Sequence, residues 1–236
     1  MFEKITTIVN GRDRILAVWQ GDQGSELYNI AKSAGREVEH TALRLGRITS
    51  DSRLSAEAKR DDRKTAGVDS LRSLAKFSTR LAALRGDYQQ RMNRLSSVPP
   101  YRDGDTSTPL IDMEIARKLS SMDDASARRL LLLTGEQPRL TDAVLRLPPF
   151  LSGLSDAEHR RIASVTLERA NPEAFALITQ EGEDLDSATK AVSKAFRLVV
   201  EVTGAELVTQ IEAAGDRAEF LVNADPEIVR GLSGAA

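Results

Sequence analysis

The chain has 236 residues, no cysteine and two histidines, and its 33 Lys and Arg nearly balance 35 Asp and Glu. The lack of cysteine excludes a disulfide scaffold, a thiolate-bound zinc and a thiol nucleophile. Two histidines disfavour a multi-histidine metal centre. No stretch approaches the roughly 20 apolar residues of a membrane span, and the N-terminus lacks the apolar core of a signal peptide. We expect no cofactor, no metal, no membrane contact and no secretion by a signal peptide.

The balanced charge conceals an asymmetry along the chain. Residues 1–100 carry 18 Lys and Arg against 12 Asp and Glu, whereas residues 101–236 carry 15 against 23. Opposite net charges suit contact between copies of the chain, or between one half and a charged partner. Solvated helix faces often drift in charge in the same way, so the asymmetry by itself identifies no partner.

Residues 2–20 fit two structures. Phe2, Ile5, Val9, Leu16 and Trp19 share one face of a helix. The β-branched run ITTIV and the pair Asn10-Gly11 are instead typical of a β-hairpin and its turn. Because the rest of the chain has helical patterns, we expect a helix here and keep a small N-terminal hairpin as the alternative.

Two long amphipathic helices are predicted next, over residues 25–45 and about 56–96. Ser25 is a suitable N-cap for the first and Gly46 a suitable stop. The second would be about 60 Å long at about 1.5 Å per residue, so part of it should project or pair with another chain. Its apolar stripe mixes two adjacent heptad seams, which favours a bundle helix over a strict two-stranded coiled coil. The stripe consists of Leu71, Leu74, Phe77, Leu81, Leu84, Tyr88, Met92 and Leu95.

A Pro- and Gly-containing segment, residues 96–109, separates these helices from the second half. Its three prolines and one glycine do not fit a regular element together. We therefore predict an N-terminal long-helix region over 1–95, a linker over 96–109 and a C-terminal helical bundle over 110–236. Short helices with clear caps follow the linker, among them 138–147, one opened by the capping box Ser155–Glu158, and 183–203. A weaker apolar pattern continues beyond Gly204.

Motifs for chemistry are missing from the chain. It has no P-loop, dinucleotide-binding, zinc-protease or serine-hydrolase signature. His159 follows Glu158, but Glu158 is better explained as the capping partner of Ser155. Asp103-Gly104-Asp105 lacks the further ligands of a calcium loop. We expect that the protein is not an enzyme.

Basic residues repeat on the second long helix. Arg72, Lys76 and Arg80 follow at four-residue spacing, and Arg91 and Arg94 come later; we call these five residues the basic ridge. Such a ridge can meet phosphates, but it lacks stacking aromatics, and the sequence pI is near 5.9. An acidic protein partner, such as a second copy, fits at least as well. The residues predicted to bind a partner are the basic ridge with Leu74, Leu81 and Tyr88 from the apolar stripe.

Residues 119–174 resemble a group of helical proteins encoded among the structural genes of tailed phages and prophages. The matching features are the Leu-rich helix 130–133, Ala143-Val144-Leu145, the turn 148–154, Glu158-His159 and Asn171-Pro172-Glu173. Residues 53–63 are also similar. These are packing and capping motifs, so no catalytic residue is carried over. The rigid turn Pro148-Pro149-Phe150-Leu151 suits either core or a docking knob, and we expect core.

Together these patterns predict an all-α fold, with coiled-coil-like N-terminal helices followed by a compact bundle. The resemblance implies a non-enzymatic structural or assembly protein in the virion, acting in multiple copies and contacting itself and other particle proteins. Two alternatives remain. One is a scaffolding or chaperone-like factor that leaves the particle, and the other is a helical nucleic-acid-associated regulator that uses the basic ridge.

Overall fold

The computed structural model describes residues 2–204. A β-hairpin comes first and is followed by helices. The strands are β1 (Glu3–Val9) and β2 (Arg12–Trp19); the helices are α1 (Glu26–Ser50), α2 (Ala56–Ser96), α3 (Ser107–Ser120), α4 (Ala125–Thr134), α5 (Pro138–Arg146), a 3-10 helix (Pro149–Ser152), α6 (Asp156–Ala170) and α7 (Pro172–Thr203). The prediction of a mainly helical fold is confirmed. The weak pattern predicted beyond Gly204 lies outside the described residues.

The expectation of a helix over residues 2–20 is wrong, and the hairpin alternative is correct. The two strands pair antiparallel, with Val9 opposite Arg12 across the turn. Asn10 and Gly11 both have positive φ, 52° and 73°, as a two-residue hairpin turn requires. The β-branched residues and this turn outweigh the helical spacing of the five apolar residues. Four of these five apolar residues, Ile5, Val9, Leu16 and Trp19, have their side chains on the buried side of the hairpin. They therefore suit a strand as well as a helix.

Two compact units divide the described chain. The first comprises the residues up to Asp87 and those from Gln180 onward; the second runs from Tyr88 to Thr179. This division differs from the predicted one, which placed a boundary at 96–109 and all later residues in one bundle. The cause is the apolar stripe of α7, in which Val192, Phe196 and Val199 are fully buried. That stripe belongs to the core of the first unit.

In the first unit the hairpin packs on α1. Ile5, Val9, Leu16 and Trp19 are buried. The Thr7 hydroxyl donates to the Gly35 carbonyl of α1 at 2.9 Å. The Trp19 ring meets the Tyr28 ring edge-on, with 5.5 Å between their centroids. One side of the hairpin is therefore part of the core.

Helices α1, α2 and α7 build the rest of the first unit. The Thr41 and Ser70 hydroxyls join α1 to α2 at 2.6 Å. Arg85 of α2 donates to the Thr189 hydroxyl of α7 at 3.0 Å. Between these polar contacts the helices bury apolar side chains, including Val38, Leu71, Leu74, Leu81 and Phe196.

The second unit has its own small core. Leu119, Leu132, Val144, Leu154 and Ile162 come from α3, α4, α5, the turn before α6 and α6. The predicted capping box is confirmed, since Ser155 and Glu158 cap the start of α6 reciprocally. The Asp124 side chain caps α4. Short helices thus bring five well-separated stretches of chain onto one core.

Candidate interaction surfaces

The basic ridge does not form one site within either unit. Arg72, Lys76 and Arg80 belong to the first unit, whereas Arg91 and Arg94 belong to the second. All five side chains are exposed. Arg80 is bound to Glu26 of α1 by two hydrogen bonds of 2.6 and 2.9 Å. These bonds hold the pKa of Glu26 below its usual value, so this arginine already has an anionic partner within the chain.

The apolar residues predicted beside the ridge occupy a different place. Leu74 and Leu81 are fully buried in the first unit. They are therefore core residues and offer no surface to a second chain. Tyr88 is half-buried and lies in the second unit. The first-unit part of the stripe, which includes Leu71, Leu74 and Leu81, is buried by the chain's own helices, because α7 from Gln180 onward belongs to the same unit.

Asp112 is a buried carboxylate in the second unit that the sequence analysis missed. It is fully buried on α3 and forms ion pairs with Arg139 and Arg146, the latter at 3.2 Å. The Tyr101 hydroxyl also donates to it at 3.1 Å. Burial, and next this hydrogen bond, raise the pKa of Tyr101. One signal was available in the sequence: the 4/3 spacing of Asp112, Ala116 and Leu119 places Asp112 on the same helix face as two apolar residues. The structure buries all three.

The Asp112 cluster ties down the segment predicted as a linker. Tyr101 comes from that segment, and Arg146 also donates to the Pro99 carbonyl at 3.1 Å. The Asp112 carboxylate is surrounded by two arginine side chains and a tyrosine hydroxyl, which hold it in place. The arrangement is a structural clamp, since a buried anion is retained only where it is paired and hydrogen-bonded.

The two residues considered for acid–base chemistry have structural roles. Glu158 accepts from the Ser155 backbone at 3.0 Å and pairs with Arg129. The backbone bond first, and then the Arg129 and Ser155 side chains, lower the pKa of Glu158 to about 2. His159 Nε2 lies 3.3 Å from the Val144 carbonyl. A carboxylate with so low a pKa is a poor general base at neutral pH.

Phe150 is the most exposed large apolar residue within residues 119–174. Its side chain is 73% exposed, so the expectation that this turn is core is wrong for this residue. The turn itself is well braced. Leu154 donates its backbone N–H to the Pro149 carbonyl at 3.1 Å, and the Ser152 hydroxyl donates to the same carbonyl at 3.0 Å.

Buried neighbours hold the backbone of the turn that carries the exposed ring. Ser152 and Leu154 are both buried, and two prolines precede Phe150. Proline fixes its own φ near −65° and leaves the backbone little freedom. The turn thus presents a large aromatic side chain on a rigid base, which is a property of interface anchors.

Within residues 2–204 we find no group of three or more His, Cys, Asp or Glu side chains placed to bind a metal. The described helices also include none with the length and apolar character of a membrane span. Comparison with protein families, with characterised proteins and with solved structures found no match to this chain.

Proposed function

We propose that this chain is a non-enzymatic structural or assembly protein of a tailed-phage particle, located in the virion and working in multiple copies. The observation that supports this proposal best is Phe150, which is 73% exposed on a braced turn. The turn lies inside residues 119–174, the segment that resembles proteins of phage structural gene modules. The same segment that suggests the setting therefore carries a surface suited to protein contact.

Phe150 would act as an anchor that enters an apolar pocket on a neighbouring copy. Full burial of an exposed Phe side chain stabilises a complex by about 1.5–3 kcal/mol. Because the turn is already ordered, little conformational entropy is lost when it docks. In a particle such a contact is repeated in every copy, so a modest affinity at each contact is sufficient.

Charge would add to this contact. The exposed Arg72 and Lys76 of the basic ridge favour an acidic surface on the partner, and residues 101–236 of a second copy carry a net negative charge. Electrostatic complementarity of this kind mainly speeds association and selects the partner. It also makes the association sensitive to salt.

The test compares Phe150→Ala with Leu43→Ala, a control at a residue of the first unit that is 65% exposed. We expect the unchanged protein to have a mass well above 25.8 kDa in light scattering and to be present in purified particles. Phe150→Ala should weaken association at least tenfold, the equivalent of about 1.4 kcal/mol, with unchanged helical circular dichroism. Leu43→Ala should behave as the unchanged protein does.

A strict monomer that is missing from particles would overturn the proposal. So would a Phe150→Ala variant that assembles as well as the Leu43→Ala control. Presence in immature particles but loss from mature ones would assign the chain to the scaffolding class instead.

A further inference from the structure

The outer side of the hairpin exposes branched aliphatic side chains. Ile8, Ile15 and Val18 are 53%, 46% and 45% exposed. Ile15 pairs with Thr6, and Ile8 is two residues further along β1, so Ile8 and Ile15 are diagonal neighbours on one face. Half-exposed aliphatic side chains that lie side by side gain free energy when a partner covers them.

The inner side and both edges of the hairpin are in contact with helices. The inner side packs on α1. At the edge of β1, the Ile8 N–H donates to the Glu39 carboxylate of α1 at 3.1 Å. At the edge of β2, the Lys194 ammonium of α7 donates to the Ile15 carbonyl at 3.5 Å. A side chain at each edge hinders pairing with a further strand, so a partner would meet the outer face of the hairpin.

Basic side chains border this face where β2 approaches the last turns of α7. A shallow depression there is lined by Asp13, Arg14 and Ile15 of β2 and by Lys194, Arg197 and Leu198 of α7. Arg14 pairs with Glu201 at 3.3 Å, which leaves two cations and one anion in the depression and a positive charge overall. Lys4, opposite Val18 on the outer face, adds a further cation. We define the hairpin surface as Ile8, Ile15, Val18, Lys194 and Arg197.

The first turns of α3, in the second unit, form a surface with similar apolar character and the opposite charge. Leu110, Ile111 and Met113 are 71%, 50% and 47% exposed, and helical spacing places Leu110 beside Met113. The charged side chains outside the core between 102 and 114 are Arg102, Asp103, Asp105 and Glu114. Glu114 also pairs with Arg117 at 2.8 Å, so the surface keeps a small negative excess. We define the α3 surface as Asp103, Leu110, Ile111, Met113 and Glu114.

The α3 surface is separate from the Phe150 turn. Gly153, which follows the 3-10 helix, packs against Ser120 at the C-terminal end of α3. Leu110 lies near the other end of α3, about 15 Å away along the helix axis at about 1.5 Å per residue. A contact at the first turns of α3 can therefore be lost while a contact through Phe150 remains.

We propose that the hairpin surface of one copy of the chain binds the α3 surface of another copy. The aliphatic side chains cover one another, and the carboxylates of Asp103 and Glu114 face the cations of α7, which selects the partner and its orientation. An acidic surface that is also apolar covers both parts of the hairpin surface, whereas phosphates would contact only its cations.

The proposed contact joins two different surfaces, so each copy can bind one neighbour through its hairpin and another through α3. Contacts of this head-to-tail kind build a ring or a filament. The inference rests on the proposed function in one respect, namely that copies of the chain associate.

The full-length chain allows a direct test because it contains no cysteine. An Ile15→Cys chain is mixed with a Leu110→Cys chain that carries a mass tag, and the rate at which the mixed disulfide forms is measured under mild oxidation. A Leu43→Cys chain, substituted at an exposed residue of α1, replaces the Ile15→Cys chain in the matched control. Each chain has one cysteine, so every disulfide joins two copies. Circular dichroism verifies that all variants are folded.

We expect the mixed disulfide with Ile15→Cys to form about ten times faster, or more, than the disulfide with Leu43→Cys, because a specific contact raises the local concentration of the two thiols. Lys194→Glu with Arg197→Glu in the Ile15→Cys chain should slow the reaction about tenfold. Asp103→Lys with Glu114→Lys in the Leu110→Cys chain should then restore most of the rate, and a failure of this rescue would contradict the proposed orientation.

Equal rates for the Ile15→Cys and Leu43→Cys mixtures would overturn the proposal. Disulfides between two Ile15→Cys chains that form as fast as the mixed ones would also overturn it, since they indicate that hairpins pair with each other. If the chains associate in light scattering but the mixed disulfide forms at the control rate, the α3 contact fails and the Phe150 contact stands. If they neither associate nor cross-link, both proposals fail.

Discussion

The two units each bury an aspartate, but they hold it in different ways. Asp184 of α7 accepts from the Gln180 side-chain amide at 2.9 Å, and no cation is bonded to it among the described residues. Burial raises its pKa, to which Glu183 and Asp22 also contribute. Asp112 in the second unit is surrounded by Arg139, Arg146 and Tyr101.

The comparison shows that burial of a carboxylate has opposite consequences in the two units. In the first unit the charge of Asp184 opposes folding, and the unit is held by apolar packing of long helices. In the second unit the charge of Asp112 connects three parts of the chain. We therefore expect the second unit to depend on a single ionic residue in a way that the first does not.

The largest expected effect comes from removal of Asp112. Asp112→Ala leaves Arg146, whose side chain is only 17% exposed, without its buried counter-ion. Breaking a buried pair in this way costs about 3–5 kcal/mol. Native-state hydrogen exchange should show that loss of stability in α3 and α5, while α1 keeps its protection. Asp142→Ala serves as a control, because Asp142 lies 4.0 Å from Arg146 and is 40% exposed; equal effects of both variants would refute the clamp.

A smaller effect is expected from the capping box of α6. Ser155→Ala removes a cap worth about 1 kcal/mol. It also removes the hydrogen bond that the Ser155 hydroxyl donates to Glu158, one of the contacts that lower the pKa of Glu158 to about 2, and keeps the Ser155 backbone bond. Since that pKa is below its unfolded value, the stabilisation is complete above about pH 4.5 and is lost as the pH falls toward 2. The difference in unfolding free energy between the unchanged protein and Ser155→Ala should narrow as the pH falls from 6 to 2, down to the contribution of the neutral cap; a constant difference would contradict this role of Glu158.

The smallest effect, and the opposite dependence on pH, is expected at Asp184. Its folded pKa is raised, so the native state binds the proton more tightly than the unfolded chain. The stability of the first unit should therefore decrease as the pH rises through and above the usual range of an aspartate. Asp184→Asn should remove this decrease and slightly stabilise the first unit at pH 7, as measured by hydrogen exchange in α7. A destabilised variant would show that the carboxylate has a structural role like that of Asp112.

Local features were predictable to the extent that their causes are local. Asn10-Gly11 and the box Ser155–Glu158 act within four residues of chain, and both are present as their patterns indicate. The preference for a helix over residues 2–20 was wrong because spacing alone does not separate a helix face from a strand face. Asp112 was missed for a related reason, since its partners lie 11 to 34 residues away along the chain. The exposure of Phe150 likewise depends on how distant segments pack, and the expectation of core was wrong for it.

The sequence by itself determined the helical class, the turn of the hairpin and most helix ends, because capping and turn preferences depend on neighbouring residues. Only the tertiary structure decided that α7 belongs with the N-terminal helices, that Leu74 and Leu81 are core, and that Phe150 is exposed. An apolar stripe specifies that something must cover it, but it does not specify which segment does so. That choice depends on the packing of the whole chain, and it leaves the Phe150 turn as the surface proposed for assembly.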